Sequence, residues 1–246
     1  MRRVTGASTV TAKYYSSTSP GLQPSGEKDA LRICYKRRNK GGLKYKVSNG
    51  YNIDIQAQLK ALKNIILSNE MIDVVIKRAK SLDIDNYYVG AGCITQTVWN
   101  YLSNNPLGYG IKDIDFVYFD DKNLDFESEN KVISQVRELY SDLKIEVDVK
   151  NQARIHLWYK NHFGYAIEPY RSLESALNTW PTTATSIGVR NEKNNEFKVY
   201  APFGLNDLFG KIVRANKAQI TKQIYENKVS SWLKKWPDLT IIPWES

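Results

Sequence analysis

The residues best suited to chemistry form one short run, Asp113-Ile114-Asp115, at the head of the apolar segment Phe116-Val117-Tyr118-Phe119. Side chains alternate along a strand, so the two carboxylates share a face. Two like charges that close repel each other, and burial adds a desolvation cost, so such a pair takes water or a cation as its partner. Hard divalent ions, Mg²⁺ first and Mn²⁺ after it, suit oxygen donors of this kind. An isolated Asp-x-Asp is also what a turn leaves on a sheet edge, so its meaning depends on its neighbours.

Two further stretches give it company. Tyr87-Tyr88-Val89 reads as a strand running through Gly90-Ala91-Gly92 into a helix. Small residues there let backbone amides approach an anion, and a helix N-terminus adds its positive dipole end. Gln96, in the first turn of that helix, lies within reach of a phosphate held at the turn. Downstream, Lys144–Lys150 alternates so that Glu146, Asp148 and Lys150 share one face, and Asp148 supplies a third carboxylate.

The elements that must position these groups are legible from periodicity. Helices are expected from Ile55 to Ser68, capped by Asp54, from Glu70 to Leu82, from Ile94 to Leu102 and from Glu127 to Tyr140. Residues 151–164 read as a helix carrying Arg154, His156, Lys160 and His162. The Arg154 fork suits triphosphate oxygens or a site acid; His156 is either a structural histidine or a proton-transfer group. A short helix at Ser172–Trp180, a hairpin of Thr185–Arg190 with Phe197–Tyr200, helices at Gly204–Val213 and Gln219–Trp236, and an extended Leu239–Trp244 complete the pattern. Arg190 is expected to point back at the substrate. Strands alternating with helices around an acidic face describe an α+β fold, a mixed sheet packed with helices and followed by a helical C-terminal part. At these spacings most of the six tryptophans belong to the core.

In this order, strand, Gly turn, helix, Asp-x-Asp and single acid, the chain resembles the polymerase-beta-type nucleotidyltransferase superfamily. Over residues 52–244 it is similar to a family of small nucleotidyltransferase-like proteins in the blocks Gly90-Ala91-Gly92, Lys112-Asp113-Ile114-Asp115, Asn151–Tyr159 and Ala201–Phe209. It departs from the superfamily in the gap of about twenty residues between Gly turn and Asp pair, where a shorter one is usual. The resemblance implies transfer of an NMP from an NTP, ATP included, to a hydroxyl acceptor with release of pyrophosphate. Asp113, Asp115 and Asp148 would hold two Mg²⁺ or Mn²⁺ ions, and Gly90, Ala91, Gly92, Gln96, Lys112, Arg154 and Arg190 would bind the nucleotide. The acceptor class stays open among RNA, protein and small molecules. Two alternatives stand beside it: a silent nucleotide-binding module on the same fold, and an Asp-x-Asp phosphatase, whose nucleophile would follow an apolar strand rather than precede one.

Charge divides the 246 residues unevenly. Residues 1–47 hold 11 Lys/Arg against 2 acids, whereas residues 48–246 hold 24 of each. Residues 1–50 therefore read as a basic arm, with a hairpin pattern at 31–47, ahead of a neutral domain over 51–246. The first 26 residues carry 14 Ser, Thr, Gly or Pro and no acid, which fits a solvated tail or a mitochondrial targeting signal, and the basic excess suits a polyanion. No apolar run is long enough for a bilayer. Cys34 and Cys93 form neither a disulfide framework nor a zinc pattern, so an intracellular, cytoplasmic protein is expected. Deleting residues 1–47 should leave folding and Mg²⁺-dependent nucleotide binding intact, as a melting curve and a nucleotide titration of the truncated protein would read.

Overall fold

The computed structural model describes residues 50–246; the arm and the hairpin expected at 31–47 lie outside them. Two helices lead in, α1 (Ile55–Leu67) and α2 (Glu70–Arg78). Asp54 caps α1 by accepting from the backbone N–H of Gln56 and Ala57. Leu59, Leu62, Ile65, Ile66, Ile72, Val75 and Ile76 fall at helical spacing and are buried. Beyond Arg78 a 3₁₀ turn, Ala79–Leu82, replaces the last turn of the expected helix and stops at Asp83, whose φ is 52°.

The remainder alternates β1 (Tyr87–Gly90), α3 (Gly92–Leu102), β2 (Asp113–Tyr118), α4 (Phe126–Leu139), β3 (Glu146–Asn151), α5 (Ile155–Phe163) and α6 (Leu173–Leu177). The hairpin strands β4 (Gly188–Asn191) and β5 (Phe197–Tyr200) follow. Five strands pair in the order β3-β2-β1-β4-β5, with β2 and β3 parallel and the other pairs antiparallel. The fold is thus the mixed α+β sheet that the sequence pattern predicts.

Alternation divides the sheet into two unlike faces. Tyr87, Val89, Ile114, Phe116, Tyr118, Val147 and Val149 point into the main core with the inner residues of α1, α2, α3 and α4. On the opposite face Tyr88, Val117 and Tyr200 pack against Leu173 and Leu177 of α6. A third cluster joins Trp99 of α3 to the C-terminal part, where Trp232 and Trp236 meet its ring edge-on.

The C-terminal elements depart from expectation in one place. Only α7 (Asn206–Phe209) of the stretch 204–213 is helical. Gly210 ends it, Lys211 takes φ 52°, and β-branched Ile212–Val213 forms β6, paired in parallel with β7 (Thr240–Ile241). Between these strands runs α8 (Lys222–Leu233). Among the described residues no helix is long and apolar enough to cross a membrane.

One buried amide fixes the approach to β2. Asn100 donates to the carbonyls of Leu107 (2.9 Å) and Tyr109 (2.8 Å) and accepts from the Trp236 indole N–H (2.8 Å). It thereby ties α3, the C-terminal part and the loop before Asp113 together. Asn100→Ala should lower stability by about 3 kcal/mol, the scale of leaving several buried groups unpaired, as a urea melt would measure.

Candidate functional site

Sheet register assembles the acidic face. In the parallel β2/β3 pair Asp113 lies beside Glu146 and Asp115 beside Asp148, while in the antiparallel β1/β2 pair Gly90 lies opposite Asp115. Directly paired residues point to one face, so Asp113, Asp115, Asp148, Glu146 and Lys150 project together from the side away from the main core. The three acids named from sequence are brought to one end of one face.

Gly90 is demanded by its surroundings. A Cβ there would stand 2.5 Å from the Ile187 carbonyl oxygen and 3.0 Å from the Trp180 ring. The positive φ of the turn belongs to neither glycine but to Ala91, at φ 55° and ψ −128°. That backbone costs a non-glycine residue on the order of 1–3 kcal/mol. It is held by the Ala91 N–H donating to Ile187 O (2.9 Å) and by Ala91 O accepting from Thr95 N (3.2 Å) and Thr95 Oγ1 (3.1 Å). Helix α3 begins at once, with no side chain capping its N-terminus. Its first amides therefore open at the acidic end of the sheet, an arrangement suited to an anion. Gln96 folds back towards Gly92, and its Oε1 is buried without a hydrogen bond.

Crowded carboxylates set the electrostatics. Desolvation, then the charges of Asp113 and Asp148, push Asp115 up to about 7, against a partial offset from the ammoniums of Lys150 and Lys228. Burial, followed by the Asp115 charge, also raises the nearby Cys93 thiol, which donates to Gly90 O at 3.0 Å. The Lys150 ammonium is paired with Asp148. As they stand, no three His, Cys, Asp or Glu side chains among the described residues are arranged to hold a metal ion. The donor chemistry nonetheless suits a divalent cation, whose charge would relieve the repulsion now borne by the Asp115 proton.

The basic residues expected at the nucleotide divide. Lys112 is exposed beside Asp113. Arg154 lies beyond the far end of β3, buried, ion-paired with Glu129 and donating from Nε to Leu124 O at 2.9 Å. Arg190 shares the acidic face but sits on β4, two strands from Asp115, with its guanidinium 4.9 Å from the Tyr88 ring centroid. It is ion-paired with Glu192 at 2.9 Å and donates to Tyr87 O at 3.2 Å. The structure does not bring either arginine to the carboxylates. Each sequence position was compatible with both placements, and an acid nearer by, buried Glu129 or half-buried Glu192, decided the outcome. His156 is half-buried on α5, also past the far end of β3.

The effect of the Lys228 charge on Asp115 has no signal in the sequence, where nothing sets this exposed residue apart from the other lysines of α8.

A family model described as nucleotidyltransferase matches residues 77–241. A solved structure described as revealing a CCA-adding enzyme head domain superposes with a TM-score of 0.61 at 21% identity, covering 79% of this chain and 99% of that one. That likeness bears on the fold alone. A tRNA-processing enzyme in an apo form reaches a TM-score of 0.40 at 14% identity, over 72% of this chain and 44% of that one, and is too distant to bear on the site. No curated protein matches.

The raised Asp115 value carries a pH dependence. Between about pH 4 and 7 the unfolded chain ionises this carboxyl while the folded chain keeps its proton, so metal-free stability falls as pH rises and levels off above about 7. Asp115→Asn should therefore raise the melting temperature at about pH 8, and the gain should shrink as pH falls towards about 4. Calorimetry of the metal-free wild type and variant across that range checks this.

Proposed function

Because the chain belongs to the nucleotidyltransferase family, we propose that it transfers the NMP of an NTP to a hydroxyl acceptor and releases pyrophosphate, with Mg²⁺ or Mn²⁺ as cofactor. The observation that carries this reading is the register that sets Asp115 between Asp148 and Gly90: carboxylates for the metals and a glycine turn for phosphate meet at one end of one sheet face.

In this reading Asp113, Asp115 and Asp148 would hold the metal ions, which would neutralise phosphate charge and lower the pKa of the attacking hydroxyl. The amides opening α3 receive triphosphate oxygens, and Gln96, whose Oε1 has no partner in the protein, orients the group held there. Lys112, exposed beside Asp113, stays with the nucleotide. The acceptor oxygen bonds to the α-phosphorus as the bond to the bridging α,β-oxygen breaks. The hydroxyl proton passes to a carboxylate of the set or to water, and pyrophosphate leaves with the bond electrons. The acceptor belongs to RNA, protein or small molecules, and a polyanionic one would suit the basic arm.

A second reading, the silent nucleotide-binding module, is favoured by one observation: Lys150 already pairs with Asp148. A single assay separates the two. Purified full-length protein is incubated with each labelled NTP, Mg²⁺ or Mn²⁺, and pools of RNA, protein and small molecules, and label transfer and pyrophosphate are measured. Labelled acceptor and pyrophosphate are expected, and Asp113→Asn, Asp115→Asn or Asp148→Asn should each cut the rate roughly 10²-fold or more. Binding of NTP without turnover would favour the silent module, and release of inorganic phosphate would favour the phosphatase.

A further inference from the structure

The indoles of the C-terminal cluster are committed to packing. Trp99 and Trp236 are fully buried and meet edge-on at 5.6 Å, and Trp232 meets Trp99 at 5.5 Å. Trp180, between α6 and β4, is different. It is half-buried, and among the described residues no ring pairs with it and no acceptor takes its indole N–H.

Its place is fixed by contact with the site. Gly90 and Asp115 lie directly opposite each other on adjacent strands, so the bond on which Gly90 would carry a side chain rises from the acidic face. A Cβ there would stand 3.0 Å from both Cη2 and Cζ3 of Trp180. The indole thus fills the space of the missing side chain, on the acidic face and one strand from Asp115. Opposed residues of an antiparallel pair are about 5 Å apart at Cα, so ring and carboxylate are neighbours. The backbone carrying the ring is pinned: Trp180 O accepts from Asn216 Nδ2 (2.9 Å) and Ser186 Oγ (3.3 Å), and Trp180 N donates to Leu177 O (3.2 Å). Tyr88, Leu173 and Leu177 back the indole from the apolar cluster of this face. A large aromatic surface is therefore held where the turn into α3 meets the acids, and core packing covers only part of it.

We propose that the base of the incoming NTP stacks on Trp180; this rests on the nucleotidyl-transfer reading above. With the triphosphate on the amides opening α3 and the α-phosphate at the acids, the nucleoside attached to that phosphate comes within reach of the ring. Every base has a π-face, so stacking adds affinity for all four nucleotides and favours the larger purines. Gly90 then has two tasks, since the absence of its side chain admits the indole as well as the turn.

The test uses the full-length chain, Mg²⁺ and the α,β-methylene analogues of ATP and UTP, which bind without transfer, with inorganic tripolyphosphate as the probe that lacks a base. Calorimetry reads the affinities. The wild type should bind the purine analogue more tightly than the pyrimidine one. Trp180→Ala should weaken the purine analogue about tenfold, the scale of one stacked base, narrow the gap between the two, and leave tripolyphosphate within about twofold. Trp180→Leu keeps apolar cover over Gly90 without a π-face and should lose as much, whereas Trp180→Phe should recover most of the loss. Wild-type nucleotide affinity in Trp180→Leu overturns the proposal, because packing alone would then suffice. An equal loss for tripolyphosphate in Trp180→Ala overturns it too, because the effect would lie in the turn. Either result leaves the nucleotidyl-transfer reading standing, while absence of any nucleotide binding by the wild type overturns that reading and this proposal with it.

Discussion

Everything at the site depends on the register of β2 between its two neighbours. A strand has period two, so sliding it by one residue would carry Asp113 and Asp115 into the main core and turn Ile114 and Phe116 out. That slip is forbidden by the core itself, where Ile114 and Phe116 are fully buried and Phe116 stacks on Tyr87 at 5.1 Å. The carboxylates are therefore held together by apolar packing on the other side of the sheet, against their own repulsion. Chemistry on one face is stabilised by burial on the other.

The two ends of the sheet are built differently. At the far end, polar groups satisfy one another. Asn151 accepts from the N–H of Asp120 (3.0 Å) and Ala153 (3.1 Å) and donates to Asp120 O (2.8 Å), while Glu129 accepts from Asn151 N (2.8 Å) and pairs with Arg154. At the near end stand three acids, an uncapped helix start, a strained Ala91 and an unpartnered Gln96 oxygen. Strain and unmet polar groups persist only where surrounding structure over-determines them, and here Ile187 O, Thr95 and the close approach of Trp180 to Gly90 do that. The asymmetry sets the proposed site apart from the rest of the sheet.

Much of this was legible beforehand, for a physical reason. Period-two alternation names the face of Asp113, Asp115 and Asp148 from sequence alone, and the Asp54 cap and the apolar spacing of α1 and α2 fix those helices locally. What sequence leaves open is the partner of a long side chain. Arg154 looks like a phosphate ligand until tertiary packing sets Glu129 against it, and Arg190 until the strand turns its own i+2 neighbour, Glu192, onto its guanidinium. Val213 reads as helical until β7, some thirty residues on, offers it a strand to pair with. Local chemistry reveals strands and caps, and long-range packing decides which charges meet.

Charge balance then links the two ligands that such a site receives. Asp113, Asp115, Asp148 and Glu146 crowd one face beside Lys150, an excess of three negative charges when all are ionised. The free protein relieves part of this by keeping a proton on Asp115 up to about pH 7. One divalent cation would neutralise most of the excess without that proton, so metal binding and proton release at Asp115 would be thermodynamically linked. A triphosphate bound at the neutralised face would restore a large negative charge, which the α3 amides would only partly meet. Each ligand therefore lowers the electrostatic cost of the other, and reciprocity requires nucleotide to tighten metal by the same factor that metal tightens nucleotide.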